Sequence, residues 1–295
     1  MASSATLPDA LASAIAREVG PVLSAQRVGG GDVSAAARVE TAAGPVFAKW
    51  GAGDAGRTYA AEADGLAALH ARAPADLVVP RPLAFARPTA DAPGWLLLPW
   101  VETGRPDATD WQRFGHALAE LHAAEAPGDG AYGWADDNWI GSKPQRNGWD
   151  RDWPAFFGER RLLVQAELVR QRGAWNAAWD RPLGELVRRL GEILPARPHP
   201  ALVHGDLWAG NALCTSDGRF AILDPAVYVG HGASDLALCE LFGGFASPFH
   251  EAYHDRVGPR DADAVEVYQL FHRINHLTHG PGYAHGVART LARWT

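Results

Sequence analysis

The sequence predicts an α+β chain of two lobes. A small antiparallel sheet would occupy residues 1–99, and a mainly helical part would occupy residues 100–295. Three observations carry this. Short apolar runs between glycine and proline turns fill much of residues 22–99. Apolar residues at helical spacing take over after Asp110. Between them and the C-terminus, residues 199–225 read as a short apolar strand, a polar loop and a hairpin rich in acid and amide side chains.

Composition bounds the rest. A chain of 295 residues, 47% hydrophobic, can bury a sizeable core. A net charge of −7 argues against nucleic-acid binding and against a polybasic membrane surface. The densest apolar run, Trp95 to Val101, is broken by Pro99, and no basic patch precedes an apolar stretch at the N-terminus. Neither a membrane span nor a signal peptide is expected. Cys214 and Cys239 give no disulfide framework, so a reduced cytoplasm is the expected compartment. One bias stands out: of 27 basic residues only Lys49 and Lys143 are lysine. Where arginine serves almost every cationic position, each lysine marks a place where a compact ammonium matters.

In chain order, Leu11, Ile15 and Val19 predict a packing helix over residues 8–19, behind Pro8. Two strands, Val22 to Val28 and a return to Glu40, flank the turn Gly29-Gly30-Gly31-Asp32-Val33-Ser34. Such a turn lets backbone amides approach phosphate, although an ordinary hairpin would look the same. Val46 to Lys49 forms the next strand. Residues 57–70 form a helix with Leu66 and Leu69 on one face and Glu62 placed to pair with Lys49. Strands at Leu83 to Ala86 and Gly94 to Trp100 follow, then a linker, Pro99, Trp100 and Val101, where the lobe boundary is expected. Asp110 would cap a helix through His122.

The polar loop carries the chemistry. Asp206 and Asn211 stand in Asp-x-x-x-x-Asn spacing, and Asp224 ends the strand Phe220 to Leu223, before Pro225. In a kinase catalytic loop that Asp takes the proton of the attacking hydroxyl. The Asn and a second Asp then hold Mg2+ on the ATP phosphates. Phosphoryl transfer asks for little more than positioning and charge, so these groups suffice. A strand-borne lysine such as Lys49 meets the phosphates in the same chemistry.

Residues 132–165 hold four of the 12 tryptophans, Trp134, Trp139, Trp149 and Trp153, among Asp137, Asn138, Gln145 and Asn147. Aromatic faces with amides suit a polyhydroxylated ligand; a long loop pinned by buried tryptophans fits equally well. His231 and Asp235 lead into a helix from about Ser234, with Asp235 expected to accept amides of the catalytic loop and His204 to support it. Two C-terminal helices, about 261–279 and 284–294, bury Val265, Tyr268, Phe271 and His272. A competing motif, His250-Glu251-Ala-Tyr-His254, matches the zinc-hydrolase pattern but has no evident third ligand.

With Val-Phe-Ala-Lys49, Glu62, His204-Gly-Asp206-Leu-Trp-x-Gly-Asn211, Ile-Leu-Asp224-Pro225 and Gly-His231-x-x-x-Asp235 in place, the chain resembles the fructosamine kinase (ketosamine-3-kinase) family. The narrower signal is Asp137-Asn138-Trp139-Ile-Gly141, Pro144-Gln145, Asn147-Gly148-Trp149, Trp153, Phe157-x-x-x-Arg161 and Asn275-His276-Leu277. The resemblance runs from about residue 20 to 290. It implies a protein-kinase-like two-lobe fold and ATP- and Mg2+-dependent phosphorylation of the sugar 3-hydroxyl of small-molecule or protein-bound ketosamines. It further implies Asp206 as base, Asn211 and Asp224 as metal ligands, and Lys49, Glu62, the Gly29–Ser34 turn and Pro99 to Val101 around the nucleotide. Asp137, Asn138, Trp139, Gln145, Asn147 and Trp149 would meet the substrate. An aminoglycoside- or choline-type kinase is the alternative, the zinc hydrolase a remote one.

Overall fold

The structure, a computed structural model, describes residues 4–29 and 34–294. Its first part holds α1 (Asp9–Glu18), β1 (Val22–Arg27), β2 (Ala35–Thr41), β3 (Gly44–Gly51), α2 (Gly53–His70), β4 (Leu77–Val78), β5 (Ala84–Ala86) and β6 (Gly94–Pro99). Next come α3 (Ala108–Ala123), β7 (Asn138–Ile140) and β8 (Lys143–Gln145). A helical run follows: α4 (Trp153–Phe156), a π-helical stretch (Phe157–Leu163) and α5 (Val164–Gln171). The chain continues with α6 (Asp180–Ile193), β9 (Pro200–Val203), β10 (Ala212–Cys214), β11 (Phe220–Ile222) and β12 (Tyr228–His231). It ends with α7 (Ala233–Phe242), α8 (Ser247–Val257), α9 (Ala262–His276) and α10 (Ala284–Trp294). No helix among the described residues is long and apolar enough to cross a membrane.

Two compact units form. One contains Met1–Pro106 with Leu213–Pro225, the other Asp107–Ala212 with Ala226–Thr295. In the first, an antiparallel sheet runs in the order β1-β2-β3-β6-β5. Strand alternation sorts its faces. Val46, Ala48 and Trp50 of β3 join Leu97 of β6 and Leu11 and Ile15 of α1 in one core cluster. Lys49, paired with Ala36 on one side and Leu96 on the other, has the opposite parity. Helix α2 packs on β6, β3 and β5. Its Gly56 approaches the sheet so closely that a Cβ there would lie 2.4 Å from the Gly51 carbonyl oxygen.

The boundary expected after residue 99 falls instead after Pro106, and the hairpin expected in the helical part belongs to the first unit. The reason is backbone pairing. Strand β11 runs parallel to β4, matching Phe220 to Leu77 and Ala221 to Val78. The Gly104 and Ser216 amides donate to Cys214 and Glu102 carbonyls, tying residues after β6 to the same hairpin.

In the second unit α3 packs on α8, α7 on α9, and α9 on α10 and α5. The α3 cap is Asp107 rather than Asp110: the two form a reciprocal capping box, and the helix begins three residues earlier than a cap at Asp110 would start it. The fully buried Trp153 ring lies against Tyr132, Phe156, Phe157 and Tyr268, and its Nε1 donates to the Tyr268 hydroxyl at 2.9 Å. Strands β9 and β12 pair antiparallel and flank the polar loop; β7 and β8 make a separate ribbon.

Candidate active site

Within the first unit, Lys49 Nζ lies 2.6 Å from Glu62 Oε2 and 2.7 Å from Asp224 Oδ1. Burial alone would lower the lysine pKa, but the facing Glu62 and Asp224 carboxylates outweigh it and raise it. Burial pushes the Glu62 carboxyl up, to about 8, against the pull of Lys49. Asp224 is exposed and sits at φ +54°, a left-handed conformation that an Asp tolerates and that aims its carboxylate at Lys49. Tyr59 stands over the pair, its ring centroid 5.6 Å from Lys49 Nζ and its hydroxyl donating to Ser34 Oγ at 2.8 Å. Gly29 is exposed; Gly30, Gly31, Asp32 and Val33 lie outside the described residues. Pro99 ends β6, Trp100 is half-buried with the Arg38 guanidinium 4.9 Å from its ring centroid, and Val101 is half-buried.

In the second unit the polar loop is braced from below by Asp235. Its carboxylate accepts the His204 amide at 2.7 Å, the Gly205 amide at 2.8 Å and His122 Nε2 at 3.2 Å. Burial alone would push this carboxyl up; His122 and the amide donors hold it below the usual range. The Asp235 carboxylate can only accept, so His122 Nε2 donates to it, while His122 Nδ1 faces the Tyr253 hydroxyl at 2.8 Å. Gly205, at φ +80°, must be glycine, because a Cβ would lie 2.1 Å from the Ala226 carbonyl oxygen. The loop then delivers Asp206, whose main-chain oxygen accepts from Asn211 Nδ2 at 2.9 Å and whose Oδ2 lies 3.4 Å from the same nitrogen. The amide of Asn211 is thus oriented with its Oδ1 available for a cation, and the exposed Asp224 carboxylate is equally suited to a hard cation.

Asp206 lines a cavity of about 340 Å³ with Lys143, Trp208, Phe242, Asn275 and His276, among others. Trp208, Phe242, His276 and Tyr283 make edge and tilted ring contacts along one wall, with Phe242 and His276 4.9 Å apart. A carboxylate among aromatic faces and one amide is a setting for a hydroxylated ligand.

The family model described as fructosamine kinase matches residues 9–294. The chain belongs to the fructosamine kinase family. A protein of Synechocystis named as a ketoamine kinase is 41% identical over 230 residues, covering 76% of this chain and 74% of that one. A chloroplastic protein-ribulosamine 3-kinase of Oryza sativa subsp. indica is 34% identical over 262 residues, 87% of this chain and 74% of the relative. A crystal structure described as a fructosamine-3-kinase from Thermobifida fusca superposes with a TM-score of 0.85 at 28% identity, covering 97% and 98% of the two chains. An aminoglycoside phosphotransferase solved with AMP-PNP and hygromycin B gives 0.66 at 13% identity over 97% and 96%, a likeness of fold alone. The fold is therefore the protein-kinase-like one of this family's small-molecule kinases.

For this fructosamine kinase relative, the 132–165 segment departs from expectation. Asn138, Gln145 and Asn147 are buried and hydrogen-bonded inward. Asn138 donates to the Val227 carbonyl at 2.7 Å, and Gln145 donates to Asn138 Oδ1 at 2.8 Å and to the Ala226 carbonyl at 3.0 Å. Asn147 donates to the Asp136 carbonyl and accepts from the buried Arg161 at 2.9 Å. These amides clamp the ribbon to the chain after Pro225, a framework use. Asp137 accepts the Asn147 amide at 2.8 Å, Trp139 is half-buried, and Trp149 is exposed beside Trp134. None of the six lines the Asp206 cavity; Ile140 to Lys143 of the same segment do. Trp134 and Trp153 are buried, as a pinned loop requires. No local pattern pointed to His122 and Tyr253, which lie 113 and 131 residues from the groups they meet. On α8, His254 Nδ1 faces the Gly258 carbonyl at 3.0 Å, and no group of three metal-ligating side chains occurs among the described residues.

Proposed function

We propose that this chain phosphorylates the sugar 3-hydroxyl of ketosamines with ATP and Mg2+. The observation that carries the reading is the braced loop: Asp206 is fixed by Asp235 through the His204 and Gly205 amides, and lies in an aromatic-walled cavity of a fructosamine kinase family member. Relatives named as ketoamine kinases and protein-ribulosamine 3-kinases support the substrate class. The structural neighbour that carries AMP-PNP supports the nucleotide.

In this reading Asp206 orients the ketosamine hydroxyl and takes its proton. Lys49, held by Glu62, meets the nucleotide phosphates together with Gly29, Gly30, Gly31 and Ser34. Pro99, Trp100 and Val101 offer backbone groups to the base. Asn211 and Asp224 would supply oxygen atoms to Mg2+, whose charge would offset the negative charge of the phosphates during transfer. The chain works in the cytoplasm. The test is ATP turnover against a fructosyl-amine panel, with the phosphorylated position read by phosphorus NMR. Asp206→Asn should lower kcat by about 100-fold or more while ATP affinity stays within about threefold. Near-normal turnover in that variant removes the catalytic assignment. Faster turnover of aminoglycosides or choline than of fructosyl-amines replaces the substrate class.

A further inference from the structure

Lys143 is only 1% exposed, yet among the described residues its ammonium makes no hydrogen bond and no ion pair. It projects from β8 into the same cavity as Asp206. The neighbouring charge is another cation: Arg172 lies close enough to act on Lys143 and reaches toward the Ser142 carbonyl at 3.5 Å. Beside the cavity, sharing Ser142 and His279 with it, runs an open groove of about 910 Å³ past Arg172, Trp175 and Trp179. Among the described residues none lining that groove is acidic, and Asp206 is the one carboxylate on the cavity wall.

The Lys143 stem is buried, and its ammonium, without a protein partner among the described residues, is left to whatever fills the cavity it opens into. There a poorly hydrated charge gains most from a ligand of opposite sign. A chain that uses arginine for nearly every other cation nonetheless places a lysine here, where a planar guanidinium would need more room. A sugar hydroxyl alone could be met by a neutral donor, so the charge itself calls for an anion. A phosphate would bring a second negative charge into a cavity that already holds Asp206, whereas one carboxylate matches one ammonium. In a ketosamine made from an amino acid, that carboxylate sits on the amine side, a few bonds from the reacting hydroxyl.

We propose that Lys143 binds the carboxylate of amino-acid-derived ketosamines, which makes glycated free amino acids the preferred substrates. The inference rests on the ketosamine kinase reading. Burial, followed by the Arg172 charge, lowers the lysine pKa to about 8, which leaves it cationic near neutrality and poised to gain from an anionic partner. The aromatic groove beyond receives the remainder of the amine.

The experiment compares fructosyl-glycine with fructosyl-glycinamide, which differ only in that charge. The unaltered chain should favour the carboxylate at least about tenfold in kcat/KM, the scale of one charge-assisted hydrogen bond. Lys143→Met keeps the stem and removes the charge; it should erase the preference through the carboxylate KM, leaving the amide substrate and the ATP KM within about threefold. Lys143→Gln should do the same if the Met variant folds poorly. No preference in the unaltered chain overturns the inference, as does equal loss on both substrates or a preference that survives substitution. A sugar-phosphate ketosamine that alone depends on Lys143 overturns it in favour of phosphate. If neither ketosamine is phosphorylated, the proposed activity itself fails; if both are phosphorylated equally, only the Lys143 inference does.

Discussion

Lys49 and Lys143 are both buried, but they are buried in opposite ways. Lys49 stands between two carboxylates and is held protonated; Lys143 faces a cavity with no partner and has its pKa lowered, to about 8, by burial and then by Arg172. A paired buried charge fixes its neighbours, whereas an unpaired one is a standing deficit that the protein keeps for something it binds. The same residue type thus serves as internal strut in one unit and as open valence in the other.

The contrast breaks first under substitution by methionine. Lys49→Met should lower kcat/KM for ATP by about 100-fold or more, and it should destabilise the first unit by about 3 kcal/mol, because Glu62 loses its cation. Lys49→Arg should also be impaired, since a planar fork does not fit between Glu62 and Asp224. Steady-state kinetics and urea unfolding check both; an active arginine variant would dissolve the special status of Lys49. Lys143→Met should move stability the other way, a gain of about 1 kcal/mol, seen as a melting temperature about 2 °C higher. A loss there would mean that the ammonium has a structural partner.

The smallest effect is a dependence on pH. Unfolded, the Lys143 ammonium returns to its ordinary value of 10.5; folded, it titrates at about 8. Between these values the unfolded chain holds a proton that the folded chain has released, so stability rises with pH. The penalty is complete below about 8 and gone above 10.5. The stability gap between Lys143→Met and the unaltered chain should therefore close across that window. Chemical unfolding at fixed pH steps measures it, and a constant gap contradicts the bare-ammonium account.

What could be read from the sequence follows from the range of the interaction. Asp206 and Asn211 meet within one loop, and Lys49 and Glu62 within one strand–helix step, so their pairing was legible from local spacing and from the scarcity of lysine. The same holds for Asp235, whose place in the first turn of α7 announced an acceptor for amides. For Asn138, Gln145 and Asn147 composition left ligand and framework uses equally open, because it does not say which way an amide faces; the substrate role came from the family resemblance. Their decisive partners, the Val227 and Ala226 carbonyls, lie 89 and 81 residues away from Asn138 and Gln145. The hairpin from Leu213 to Pro225 was placed in the wrong unit for a related reason: its pairing with Leu77 and Val78 leaves no local trace. Asp107 and Asp110 show the limit at short range, where two acids three residues apart both fit a cap and only geometry ranks them.

The burial of both lysines has a chemical consequence for the protein as an object in the cell. A reducing sugar modifies an amine only after the amine has lost its proton and only where the sugar can reach it. Lys49 is 8% exposed and locked as a cation; Lys143 is 1% exposed and opens only into its cavity. With 25 arginines and no other lysine in the chain, the surface offers sugars no lysine amine to attack. In a member of a family whose relatives act on glycated amines, Lys49 is shielded from that reaction by burial and charge, while Lys143 meets sugars only where the cavity admits them.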